Sequence, residues 1–78
     1  MSDNTYIVRG ILAEVCAVEP DALAPDAPLI DYGLDSARAI DLLVALEETF
    51  GIRIPDEAAA KMRTLKDIVL YVEARISP

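Results

Sequence analysis

The stretch Gly33-Leu34-Asp35-Ser36 sets a serine hydroxyl beside a carboxylate, directly ahead of an amphipathic run that ends in Phe50-Gly51. The chemistry open to that serine is narrow. The chain has no histidine, so the usual general base near neutral pH is missing and Ser36 has no Ser-His-Asp partner. Neither Lys61 nor Lys66 is near it in sequence. One cysteine and no histidine exclude an ordinary zinc site, and three widely separated glycines make no phosphate cradle. Asp31 and Asp35 lack the regular oxygen-ligand spacing and terminal glutamate of a calcium loop. Catalysis by this chain alone is not expected. Ser36 is instead placed to have something attached to it. At a helix N-terminus, unpaired N–H groups and the helix dipole favour an attached anion by up to about 1 kcal/mol at an exposed site. An Asp-Ser pair ahead of a helix also fits a plain N-cap, and the local feature leaves both readings open.

The elements that must position Ser36 are helical. Ile7, Ile11, Val15 and Val18 recur at helical spacing, widened by Val8 and Leu12, and predict a first helix from about Thr5 to Val18. Ser2, Asp3 and Asn4 are its candidate N-caps, and Pro20 is expected to close it. Cys16 reads as a buried small hydrophobe rather than a reactive thiol. A long connection over 19–35 follows, punctuated by Pro20, Pro25, Pro28 and Gly33. Leu23, Leu29, Ile30 and Leu34 are expected to anchor it. So long a loop in so small a domain is functional or contains a short helical turn.

The second helix is predicted from Ser36 or Ala37 to Phe50, with Gly51 as its terminator and Ala39, Leu42, Leu43, Leu46 and Phe50 inward. Its other side carries Ala37, Asp41, Val44 and Glu48 in line, with Ile40 and Glu47 adjoining. A short helix after Pro55 is expected to end near Met62. A last helix over Leu65–Ile76 should point Leu65, Ile68, Val69, Val72 and Ile76 inward, with Thr64 and Asp67 at capping-box spacing. No repeat and no convincing strand is present. The fold class expected is all-α: a four-helix bundle of three main helices and one short helix, with a long loop between the first two.

Seventy-eight residues make one domain, 1–78, which buries only roughly 60% of its unfolded surface and has no room for a deep two-walled cleft. The 54% apolar content argues against disorder. A net charge of −7 disfavours nucleic acid and anionic membrane and favours encounter with basic protein surfaces. The apolar runs are far too short to span a membrane, no signal segment opens the chain, and the lone Cys16 suits a reducing compartment. A cytoplasmic monomer is expected.

Taken together, Asp31-Tyr32-Gly33-Leu34-Asp35-Ser36, Ile40-Asp41-Leu42, Ala45-Leu46-Glu47-Glu48-Thr49-Phe50-Gly51-Ile52 and Ile54-Pro55-Asp56-Glu57 closely resemble the acyl carrier protein family. The likeness covers essentially the whole chain, including the proline-marked loop and the last helix with Tyr71. It implies that Ser36 receives 4′-phosphopantetheine from coenzyme A through a phosphopantetheinyl transferase, typically with magnesium. The arm's thiol would then carry a thioester-bound acyl or aminoacyl group between enzymes. The partners implied are that transferase, a loading ligase or transferase, and synthase enzymes with basic docking surfaces.

On this resemblance Asp35 supports the transferase or its metal, and Ala37 and Arg38 open the docking helix. Asp41, Glu47 and Glu48 supply charge, while Ile40 and Val44 supply apolar contact. Leu46, Ile54, Ala59, Met62 and Ile68 are candidates to line a pocket for short cargo, set against their reading as plain core. Carriers of fatty-acid synthesis commonly place Leu and then an acidic or small polar residue after the modified serine; here Ala37-Arg38 stands instead. That departure favours specialised, polyketide-like metabolism over fatty-acid synthesis. An aminoacyl or peptidyl carrier is the alternative within the class, although Asp rather than His before Ser leans away from peptide-synthetase carriers. An unmodified helical adaptor is the alternative outside it.

Overall fold

The fold, taken from a computed structural model, is described for residues 3–76. It has four helices and, among the described residues, no strand: α1 (Asp3–Cys16), α2 (Ser36–Phe50), α3 (Asp56–Ala59) and α4 (Leu65–Ile76). Helix α1 packs against both α2 and α4. The core is aliphatic: Val8 and Leu12 from α1, Leu42 and Leu46 from α2, Leu65, Ile68 and Val72 from α4, with Leu23, Leu29 and Ile54 from the connections. The all-α expectation agrees with this architecture.

Helix α1 departs from its expected form in three ways. Asp3 and Asn4 lie inside its first turn, and Ser2 lies outside the described residues. Its buried line is Val8, Leu12, Ala13 and Cys16, leaving Ile7 38% exposed on its flank. Its end is set before Pro20, because Ala17 adopts the left-handed conformation (φ 57°). There the Val18 N–H donates to Ala13 O at 3.0 Å and the Ala17 N–H to Glu14 O at 3.3 Å, the paired bonds of a Schellman cap. An alanine in this role escapes a sequence reading that looks for Gly or Pro.

The long connection contains two 3₁₀ turns, Pro20–Ala22 and Leu29–Tyr32. Leu23 and Leu29 are buried, as expected of anchors, and polar bonds complete the attachment. Arg9 Nη1 donates to Pro20 O and Leu23 O, the Leu29 N–H to Arg63 O at 2.8 Å, and the Ala24 N–H to the Tyr32 hydroxyl at 3.0 Å. Ile30, expected as an anchor, is instead 74% exposed, because a 3₁₀ turn that buries Leu29 must turn its neighbour outward.

Helix α2 has the predicted bounds. Asp35 caps it through Oδ1, which accepts from the Arg38 N–H at 2.8 Å. Gly51 (φ 64°) closes it, with the Ile52 N–H donating to Glu47 O at 3.3 Å. The capping box at α4 is present in both directions: Asp67 N–H to Thr64 Oγ1 at 3.1 Å, and Thr64 N–H to Asp67 Oδ2 at 3.2 Å. Ile76, expected inward, is 38% exposed, since the core ends with Val72 one turn earlier.

Ala17→Gly removes the steric cost of a side chain in the left-handed region and should stabilise the protein by about 1 kcal/mol in urea titration. Cys16 is 4% exposed, and burial pushes its thiol above the ordinary range, partly opposed by the charge of Arg38. A raised native value means that the unfolded thiol ionises first. Stability from this group should therefore be intact below about pH 8.5 and decline as pH rises past it. Cys16→Ala should flatten that decline, and Cys16 should resist alkylation in the native protein but not in urea.

Candidate functional site

Two local choices fix the position of Ser36. Gly33 takes φ 86° and donates its N–H to Ile30 O at 3.1 Å, turning the chain out of the Leu29–Tyr32 segment. Asp35 then sits in extended conformation as N-cap, so Ser36 is the first residue of α2. Its side chain is exposed. Ser36 opens into a shallow depression of about 570 Å³ shared with Ile30, Gly33, Leu34, Asp35 and Ala39. This arrangement fits an attached phosphodiester: the serine is exposed, it stands at the positive end of the α2 dipole, and no histidine is present to activate it. The Asp35 carboxylate is committed to the Arg38 N–H by one oxygen, with the residue itself exposed.

The residues expected on the docking face do not all lie together. Ala37, Ile40, Asp41, Val44 and Glu48 are exposed on the side of α2 opposite Leu42 and Leu46, with Ile40 63% and Val44 48% accessible. Asp41 stands at the edge of this face, where it lines a groove with Ala45 of α2 and Ile11 and Glu14 of α1. Glu47 is half-buried, and its Oε2 accepts from the Ile54 N–H at 2.8 Å; its charge holds the segment after α2 rather than facing outward. Arg38 is one turn ahead of the buried Leu42, at the flank of the outward face. Its Nη1 lies 3.5 Å from where a Cβ at Gly33 would stand, so the guanidinium folds back over the Gly33 turn. The arginine is exposed.

The candidate cargo pocket is also redistributed. Leu46 and Ile68 are 0% exposed and Ile54 6%, all within the packed core. Ala59 and Met62 pack against that core and are half-buried. Of the five, Met62 lines an open groove, of about 650 Å³, together with Leu29, Ile30, Leu34 and residues of the turn before α4. A chain of aliphatics spaced for an interior reads the same in sequence whether it closes on itself or leaves a gap. This groove gave no sequence signal, because it arises from how the long connection lies against the segment between α3 and α4.

Comparison with known proteins bears on what this site carries. A family model described as a phosphopantetheine attachment site matches residues 7–72. An acyl carrier protein of Campylobacter hominis is 46% identical over 67 residues, covering 85% of this chain and 85% of its own length. One from Zymomonas mobilis is 40% identical over 74 residues, covering 94% and 95%. Among solved structures, a free-standing peptidyl carrier protein from an uncharacterized Acinetobacter baumannii secondary metabolic pathway superposes with a TM-score of 0.79. It is 26% identical, over 90% of this chain and 88% of that one. Helical architecture, an exposed serine at the start of α2 and an attachment-site match across most of the chain converge: the protein belongs to the acyl carrier protein family, whose phosphopantetheine-binding domain holds 4′-phosphopantetheine covalently.

Proposed function

We propose that this chain is a discrete, non-catalytic carrier whose Ser36 is the attachment point and whose cargo is a thioester-bound acyl intermediate of specialised, polyketide-like metabolism. The observation that carries the reading is the exposed Ser36 hydroxyl at the first position of α2, in a chain with no histidine to make it a nucleophile of its own. A partner transferase must therefore deprotonate Ser36 Oγ, which forms the new O–P bond to the phosphopantetheine phosphate of coenzyme A as the adenosine bisphosphate leaves. When bound, the arm supplies the thiol on which acyl groups ride. Ser36 holds the phosphodiester beside the α2 N-terminus, Asp35 keeps that terminus formed, and α2 offers partners a surface with Ile40 and Val44 between Asp41 and Glu48. Ala37-Arg38 after the serine supports a specialised pathway over fatty-acid synthesis.

An aminoacyl or peptidyl carrier is the second reading, favoured by the likeness to the free-standing peptidyl carrier. Loading by an amino-acid-activating ligase, against loading by an acyl ligase, separates the two.

Incubation with coenzyme A and a broad-specificity transferase should add one phosphopantetheine mass to the protein, and Ser36→Ala should abolish the addition while leaving the helical circular dichroism unchanged. Mass added to the variant would refute the assignment of Ser36. Asp41→Lys with Glu48→Lys should raise the transferase KM about tenfold at low salt with kcat little changed, and the difference should shrink as ionic strength increases.

A further inference from the structure

Helices α1 and α2 pack together, yet their crossing is not filled out to the surface. A groove of about 500 Å³ runs along it, floored by Ile11 and Val15 of α1 and Ala45 of α2, all half-buried, with Thr49 one turn beyond Ala45. Glu14 bounds the groove from α1 and Asp41 from α2, and both acids are exposed. Asp41, Ala45 and Thr49 follow one another at steps of four, as do Ile11 and Val15, so each helix lends the groove one line of side chains. No cation among the described residues lines it. Of the seven in the chain, only Arg9 and Arg38 precede the end of α2. Arg9 donates to Pro20 O and Leu23 O, and Arg38 lies over the Gly33 turn. Two carboxylates thus bound an aliphatic floor with no counter-charge of the protein's own.

We infer that the α1–α2 groove receives an arginine side chain from a partner docked on α2, which makes Glu14 a partner-contact residue outside that helix. This rests on the reading of α2 as the partner-facing helix. Asp41 belongs both to the edge of the outward side of α2 and to the groove, so a basic surface laid on Ile40 and Val44 meets the groove at that edge. The occupant is set by chemistry. An acidic side chain would be repelled there, and a wholly apolar one would strip water from two carboxylates without replacing it. A long basic side chain lays its stem on the aliphatic floor and keeps its charge at the wet rim. Arginine suits the groove better than lysine does. Its planar guanidinium offers five N–H donors in a fixed fork, enough to serve a carboxylate from each helix, whereas an ammonium is one strongly hydrated point charge.

The test titrates ¹⁵N-labelled protein with acetyl-Gly-Arg-Gly-amide and, separately, with the citrulline peptide, which keeps the shape and lacks the charge. The arginine peptide should shift the amide signals of Ile11, Glu14, Val15, Asp41, Ala45 and Thr49, and the citrulline peptide should not. Glu14→Gln should weaken binding roughly threefold, the order expected of one exposed ion pair, while Glu19→Gln, at an exposed acid off the groove, should leave it unchanged. With the transferase, Glu14→Lys should raise KM severalfold with kcat little changed, and Glu19→Lys should not. Shifts that follow the exposed acids of the long connection, or an equal response of Glu14→Gln and Glu19→Gln, would overturn the proposal in favour of unspecific charge attraction. An unchanged KM for Glu14→Lys beside a raised one for Asp41→Lys with Glu48→Lys would overturn the groove alone. An unchanged KM in both would overturn the docking reading with it.

Discussion

The bond from the Arg38 N–H to Asp35 Oδ1 decides where α2 begins, and most of what this protein presents follows from that. A helix turns about 100° per residue, so starting it one position later would carry every side chain a quarter-turn or more around the axis. With the cap at Asp35, Leu42 and Leu46 point into the core, Ser36 stands at the open end, and Ile40, Val44 and Glu48 share the outward face. Gly33 prepares the cap by taking a left-handed conformation that other residues adopt only at a steric cost. The exposed serine and the outward face of α2 are thus fixed by one turn of chain.

The second constraint is scarcity of interior. A chain of this size closes its core by drawing on every element, including Leu23 and Leu29 from the long connection and Ile54 from the segment after α2. Side chains that also serve elsewhere are few. Glu47, which looks like a surface acid, is used to hold the Ile54 N–H, and Arg38 folds over the Gly33 turn rather than standing out on the helix. What the protein exposes is therefore left over from what it needs to fold. Ile30, Ile40 and Val44 are the conspicuous aliphatic remainder near Ser36. Burying them would gain stability of the usual order for aliphatic side chains, and the fold forgoes it.

Much of this was legible before any coordinates. Periodicity placed α2 and α4 at their observed bounds, because an apolar line at steps of three and four is a direct consequence of helix geometry, and the Thr64–Asp67 box marked a start by its own chemistry. The end of α1 was misread. A left-handed alanine is held by its two backbone bonds rather than by its side chain, and no residue type announces that. Ile7, Ile30 and Ile76 were expected to be buried, since hydrophobicity alone does not distinguish the centre of an apolar line from its flank.

Sequence by itself carried the resemblance that names the class of chemistry: Gly33-Leu34-Asp35-Ser36 and the acidic run behind it resemble a carrier's attachment site, and the absence of histidine leaves Ser36 no base of its own, since residue types are local facts that folding cannot add to. Tertiary structure decided which surface that serine meets. The grooves at Ser36 and Met62, the burial of Leu46, Ile54 and Ile68, and the diversion of Glu47 and Arg38 all depend on contacts between segments far apart in the chain. Periodicity describes one helix at a time, whereas a groove belongs to the space between several.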